Sequence, residues 1–214
     1  MKIELERVLP AEIEARSFEI IDRELPHPID VALAPIIKRV IHATADFDYA
    51  DTLCFSEDVL RHAQDAICAG ALFVTDTTMA QAGINKPALQ RHGCDVRCFI
   101  ADGDVAEAAR RSGTTRAVQA VDKAADLKGR PIVFAVGNAP TALVRICELV
   151  SEGRLAPALV IGVPVGFVNV TQSKAHIMRA GVPYIVARGR KGGSNVAAAI
   201  CNALLYLADA ENRP

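Results

Sequence analysis

The chain has no surplus of positive charge. At a net charge of −1 it lacks the clustered cationic excess that phosphate neutralisation requires, which excludes a non-specific nucleic-acid binder. Long apolar runs are missing too. The stretch from Ala156 to Val170 is interrupted by Pro and Gly and is too short to cross the roughly 30 Å hydrocarbon core of a bilayer. Met1 to Pro10 carries Lys2, Glu4, Glu6 and Arg7 without an apolar run, so it reads as neither signal peptide nor membrane anchor. The expectation is a soluble, cytoplasmic protein with no membrane partner. No Cys-x-x-Cys pair occurs among Cys54, Cys68, Cys94, Cys98, Cys147 and Cys201, and without a short secreted framework these six read as reduced core thiols. There is no repeat, low-complexity segment or Ser/Gly linker, so residues 1–214 are expected to form a single domain. The G-x-x-x-x-G-K-[ST] pattern is absent, as is G-x-G-x-x-G after the first strand, which leaves nucleotide binding with little support.

What is present suits one α/β domain. A chain of 214 residues that is 51% hydrophobic and 23% charged can bury a substantial core. Arg outnumbers Lys 17 to 7. Arg is the better bidentate ligand for carboxylate or phosphate, although biased base composition in the genome accounts for such a ratio equally simply.

Five near-continuous apolar segments read as strands covered on both faces: Ala71 to Thr75, Asp95 to Ile100, Pro131 to Val136, Ala158 to Val163 and Tyr184 to Ala187. Continuous rather than alternating runs point to parallel strands. Alanine-rich helical patterns follow at Val105 to Arg111, Ala117 to Leu127, Thr141 to Glu152, Thr171 to Ala180 and Asn195 to Ala208. This alternation predicts a doubly wound, five-stranded parallel sheet in an α/β/α sandwich of the flavodoxin-like or Rossmann-like type. The first 70 residues read instead as a helical extension, with helices near Ala11 to Glu24, Ile29 to Ala45 and Glu57 to Ala69.

Open parallel sheets bind ligands beyond the carboxyl ends of their strands. Four such segments here are unusual: Asp76-Thr77-Thr78-Met79-Ala80, Gly137-Asn138-Ala139-Pro140-Thr141, Pro164-Val165-Gly166-Phe167-Val168-Asn169 and Gly189-Arg190-Lys191-Gly192-Gly193-Ser194. All are expected to converge on one edge. The last leads from a strand into a helix, where free N–H groups and the positive helix end favour an anion, with Arg190 and Lys191 adding charge. A turn that needs glycine for its shape alone explains Gly192 and Gly193 as well.

None of His27, His42, His62, His92 and His176 has a partner at metal-ligand spacing, so no protein-bound metal is expected. On the helix Ile29 to Ala45, Lys38, Arg39 and His42 share neighbouring ground at spacings of three and four. Asp46, four residues past His42, is placed to orient the imidazole or stabilise its protonated form. Alone, a histidine of this kind packs or meets water more often than it catalyses.

Arg39-Val-Ile-His42-Ala-Thr-Ala-Asp46, Gly137-Asn-Ala-Pro-Thr-Ala-Leu143, Gly162-Val-Pro-Val-Gly-Phe-Val168 with Ser173-Lys174, and Gly189-Arg-Lys-Gly-Gly-Ser194 resemble, in order and separation, the precorrin-8X or cobalt-precorrin-8 methylmutases of the cobalamin pathway. The likeness runs from about Arg16 to Leu205. It implies a flavodoxin-like homodimer catalysing a cofactor-free isomerisation, in which a methyl group moves from C-11 to C-12 of a tetrapyrrole. It assigns catalysis to His42 and substrate contacts to positions on or beside Ser17 and Arg39. An imidazole, with an ordinary pKa of about 6.5, holds and releases a proton near neutrality. A polycarboxylate ring asks for cationic and N–H donors at its rim and aliphatic surface across its face. The rim candidates are Arg16, Arg39, Arg116, Arg190 and Lys191, beside Thr77, Thr78, Asn138, Ser194 and the amides of Gly192 and Gly193. This mechanism requires the imidazole to face the crevice formed by the strand-end loops. Two rival readings are a tetrapyrrole carrier without turnover and a phosphotransfer enzyme using Asp76 as nucleophile.

Overall fold

The computed structural model describes residues 6–211. A 3-10 turn at Pro10–Glu12 leads into α1 (Ile13–Glu24), followed by α2 (Ala34–Thr44), α3 (Tyr49–Thr52), β1 (Leu53–Phe55), α4 (Val59–Cys68) and β2 (Leu72–Thr75). Next come α5 (Thr78–Gly83), α6 (Lys86–Arg91), β3 (Asp95–Arg97), α7 (Gly103–Ser112), α8 (Arg116–Ala125) and β4 (Ile132–Val136). The chain continues through α9 (Pro140–Ser151), β5 (Leu159–Gly162), α10 (Val170–Ile177), β6 (Tyr184–Ala187) and α11 (Ser194–Glu211).

The strands form one sheet in the order β1-β6-β5-β4-β2-β3. From β2 to β6 all neighbours are parallel, and read from β3 they follow the 2-1-3-4-5 order of flavodoxin-type sheets. The expected five strands are therefore present, but the sheet has a sixth. β1 pairs antiparallel with β6, Leu53 opposite Ala187 and Phe55 opposite Ile185. Three residues offer no readable period, so this edge strand was hidden in a region expected to be helical.

Double burial explains the continuous apolar runs. Leu72, Val74, Phe134, Val160 and Val186 meet one core with α8 and α9, whereas Phe73, Ala135, Ile161 and Ile185 meet the other with α2, α4 and α11. Within the second layer α11 packs against α2, α4, α5 and α6. Helix α2 starts at Ala34 rather than Ile29, because Pro35 has no N–H to donate and fits only the first turn. The short helices α5 and α6 fill the gap after β2, capped by the Thr77 and Asn85 side chains. The cysteines are all free; Cys94, Cys147 and Cys201 are buried, Cys54 and Cys98 half-buried, and Cys68 is exposed at the end of α4 rather than in the core. Burial pushes the Cys201 thiol up to about 12.

Candidate active site

The sheet order reverses between β2 and β4, so the space beyond those two strand ends is where a ligand crevice opens. A cavity of about 430 Å³ lies there, lined by Asp76, Thr77, Thr78, Arg116, Asn138 and Thr141 among others. Four of the expected contacts, Thr77, Thr78, Arg116 and Asn138, are thus brought together. The floor is built by Asp76, whose carboxylate accepts N–H bonds from Gly137 at 2.9 Å, Asn138 at 2.8 Å and Ala139 at 2.6 Å. Burial pushes this carboxyl up and the three donors pull it back down. With both oxygens occupied it is a clamp on the β4–α9 loop, and the reading of Asp76 as a nucleophile fails.

The glycine-rich loop closes against this floor. A Cβ on Gly137 would stand 2.7 Å from the Ser194 Cα, and one on Gly192 would stand 2.1 Å from the Val163 carbonyl oxygen. The two loops touch backbone to backbone there, which only glycine permits. The Gly193 N–H donates to Val163 O at 2.9 Å and the Gly166 N–H to Arg190 O at 3.1 Å. The Thr77 and Ser194 hydroxyls are 2.7 Å apart. Arg190 stacks on the Phe167 ring at 5.3 Å. All four strand-end loops therefore meet at one edge. Lys174 of α10, which was not among the candidates, donates to Gly189 O at 2.9 Å and Lys191 O at 2.8 Å from a side chain only 1% exposed.

His42 does not line that crevice. It lies in a separate, mostly apolar cleft of about 240 Å³ between α1 and α2, shared with Ser17, Ile20, Glu24, Ile41 and Phe47. Helix α2 runs beside α11, and the segment that follows it reaches the strand-end loops through Asp46, whose carboxylate holds Lys191 Nζ at 2.7 Å. The expected Asp46–His42 pairing is absent for a related reason. Ala45 takes a left-handed φ of 52° and ends the helix, so Asp46 no longer sits one turn above His42. Asp48 joins it on Lys191 at 2.5 Å, and the two carboxylates raise the pKa of this ammonium.

The other cations of that helix face are also committed. Lys38 pairs with Asp22 at 3.0 Å. Arg39 is ion-paired with Glu14 and stacks between Phe18 at 5.1 Å and Tyr206 at 5.0 Å. Arg16 donates to Glu6 and Glu19, and the Ser17 hydroxyl to Ile13 O. The His42 imidazole, by contrast, is exposed and has no hydrogen-bond partner among the described residues; its ring contact is with Phe18, centroids 5.4 Å apart. Phe18 and Tyr206, the packing partners of Arg39, gave no signal in the sequence, since aromatic residues on helices usually belong to cores. Among the described residues no group of three His, Cys, Asp or Glu side chains is arranged to hold a metal ion.

Fold and loops together define a flavodoxin-type α/β protein with a crevice at its strand-end edge, rimmed by amides, hydroxyls and arginine. Residues 12–207 match the family model described as precorrin-8X methylmutase. The chain belongs to the precorrin-8X methylmutase family. It is 47% identical over 92% of its length to the cobalt-precorrin-8 methylmutase of Salmonella typhimurium, covering 95% of that protein. It is 44% identical over 94% of its length to the enzyme of that name from Priestia megaterium, covering 90% of it. The crystal structure of a precorrin-8X methylmutase from Thermus thermophilus superposes with a TM-score of 0.83 at 40% identity, over 94% of this chain and 100% of the other.

Proposed function

We propose that this chain is an isomerase of corrin biosynthesis that moves a methyl group from C-11 to C-12 of precorrin-8X, or of its cobalt counterpart, to give hydrogenobyrinate or cobyrinate. Because His42 faces the α1–α2 cleft and not the strand-end crevice, a ring held in that crevice alone is set aside; His42 donates a proton to a conjugated ring that extends over the α1–α2 cleft. Protonation draws electrons toward the macrocycle, the C-11–methyl bond breaks as the C-12–methyl bond forms on the same face, and the proton returns, so no atom is gained or lost. The step needs no cofactor. Acid catalysis of this kind contributes roughly 10²- to 10⁴-fold, with shape-matched binding of the ring supplying the rest.

The observation that carries this reading is the free imidazole of His42 at an apolar cleft beside Ser17, in a chain of this family. Arg16, Ser17 and Arg39 serve one side of the substrate. Thr77, Thr78, Arg116, Asn138, Arg190, Gly192, Gly193 and Ser194 take acid arms on the other, with Lys191 contributing its backbone N–H because its ammonium is held by Asp46 and Asp48. Neither cleft alone is of a size to enclose a tetrapyrrole and its arms, so the ligand lies across open surface. We assign the chain as one domain, acting as a cytoplasmic homodimer. Phe167 and Val168, 81% and 78% exposed at the strand-end edge, are apolar surface suited to a ring face or a second copy. Light scattering reads the oligomeric state.

The test is purified protein added to metal-free and cobalt-loaded precorrin-8X, followed by visible spectroscopy. Conversion by the native chain, lost in His42→Ala while hydrogenobyrinate still binds, is the expected result. Unchanged turnover in that variant removes the role of His42. Binding without conversion by the native chain makes it a carrier.

A further inference from the structure

Lys191 looks from the sequence like the cation of the glycine-rich loop, but its charge is neutralised by Asp46 and Asp48. Besides Arg190, which stacks on Phe167, a second cation without a carboxylate partner among the described residues lies underneath. Lys174 Nζ is fully buried and bonds no carboxylate among the described residues; its acceptors are the carbonyls of Gly189 and Lys191. The carbonyl between them, of Arg190, accepts from Gly166 N–H. Three successive carbonyls are thus consumed by the protein beneath the loop. The N–H groups of Arg190, Lys191 and Gly192 have no protein acceptor among the described residues, and the loop leads directly into the 18-residue helix α11.

Burying an ammonium without a counter-ion is costly, and the cost is visible in Lys174, whose pKa burial lowers to about 8. An apolar side chain would fill the same space without that penalty, but would leave two carbonyls unpaired and free to rotate the peptides that carry them. A positive group beneath an amide-lined turn also favours any anion resting on it.

We propose that Lys174 is a positioning residue of the substrate site, holding the Gly189 to Gly193 turn in the shape whose free N–H groups, with the first turn of α11, receive one carboxylate arm of the tetrapyrrole. This rests on the function proposed above and assigns an arm-binding subsite within it.

The experiment compares the full-length native chain with Lys174→Met and Lys174→Gln. Far-UV circular dichroism reports folding, absorbance titration gives the Kd for hydrogenobyrinate, and precorrin-8X turnover gives KM and kcat. In Lys174→Met, Kd and KM are expected to rise about tenfold or more, with KM rising by more than kcat falls. Lys174→Gln has a side chain one atom shorter and reaches one of the two carbonyls, so it is expected to fall between Met and the native chain. A folded Lys174→Met whose Kd and KM match the native values overturns the proposal, even if its melting temperature has dropped, because a purely structural lysine behaves in that way. Should Lys174→Met fail to fold, Lys174→Gln decides by the same criterion. A native chain that neither binds nor converts the tetrapyrrole overturns the underlying function instead, a result distinguishable from both.

Discussion

The strand-end floor and the α1–α2 wall are built on opposite terms. In the floor, polar groups are buried and fully engaged: Asp76 binds three amides, Lys174 two carbonyls, and glycines bring the loops into backbone contact. Along the wall, cations and acids pair in solvent, as in Arg16 with Glu6 and Glu19 or Lys38 with Asp22, where ion pairs contribute little and are screened by salt. The difference teaches where rigidity is needed. Acid arms must be met by donors already in place, since donors that reorganise on binding lose much of their worth. His42, the proposed proton donor, sits on the softer side, exposed and without a hydrogen-bond partner among the described residues.

The largest expected effect separates the two regions by rate. His42→Ala is expected to lower turnover of precorrin-8X roughly 10²- to 10⁴-fold while leaving the urea unfolding free energy within about 0.5 kcal/mol of native, since the ring is exposed and makes no hydrogen bond among the described residues. Saturating kinetics and urea titration on one preparation check both halves. A stability loss matching the loss of rate would make the wall as structural as the floor.

Asp76→Ala is the mirror experiment. It strands three N–H groups in a site 8% exposed, and losing a buried, charged acceptor costs about 3–5 kcal/mol. Urea unfolding should show that loss. Asp76→Asn keeps one acceptor oxygen and should lose less. Equal stability in Asp76→Ala would show that the β4–α9 loop holds itself.

The contrast between floor and wall also marks what the sequence made legible. Parallel strands announce themselves because both faces are buried, and β2, β4, β5 and β6 were readable within a residue or two. So was the edge at which the loops converge, which follows from parallel topology. β1 was not legible, because three residues carry no period and its pairing with β6 depends on residues some 130 positions away. The placement of His42 was half legible. Its helix and its neighbours at three- and four-residue spacing followed from periodicity, but the left-handed turn at Ala45 that takes Asp46 to Lys191 has no glycine to signal it. Lys174 was not legible, because no local pattern shows that a helical lysine points inward.

Titration probes that hidden group directly. The folded chain lowers the pKa of Lys174 from 10.5 to about 8, so between those values the unfolded chain binds more protons and stability rises with pH. The buried ammonium therefore costs up to about 3 kcal/mol below pH 8, and this cost fades as pH approaches 10.5. Measured against Lys174→Gln, which cancels the other titrating groups, the native chain should gain stability from pH 8 to 10.5. A flat difference would mean that the ammonium is better solvated than its burial suggests.

The smallest effects belong to the wall itself. Arg39 is held by Phe18, Tyr206 and Glu14, and two partly exposed cation–π contacts are worth about 1–2 kcal/mol together. Arg39→Ala should therefore lower stability by that amount, whereas Arg39→Lys keeps the charge but loses the planar stacking and should recover only part of it. Arg16→Ala should leave the unfolding midpoint unmoved, since its partners lie in water. If both arginines meet acid arms, however, KM for precorrin-8X should rise in both variants, and more so at low salt. A KM that rises only for Arg39 would confine substrate recognition on this side to the ring packed against Phe18 and leave Arg16 as a surface charge.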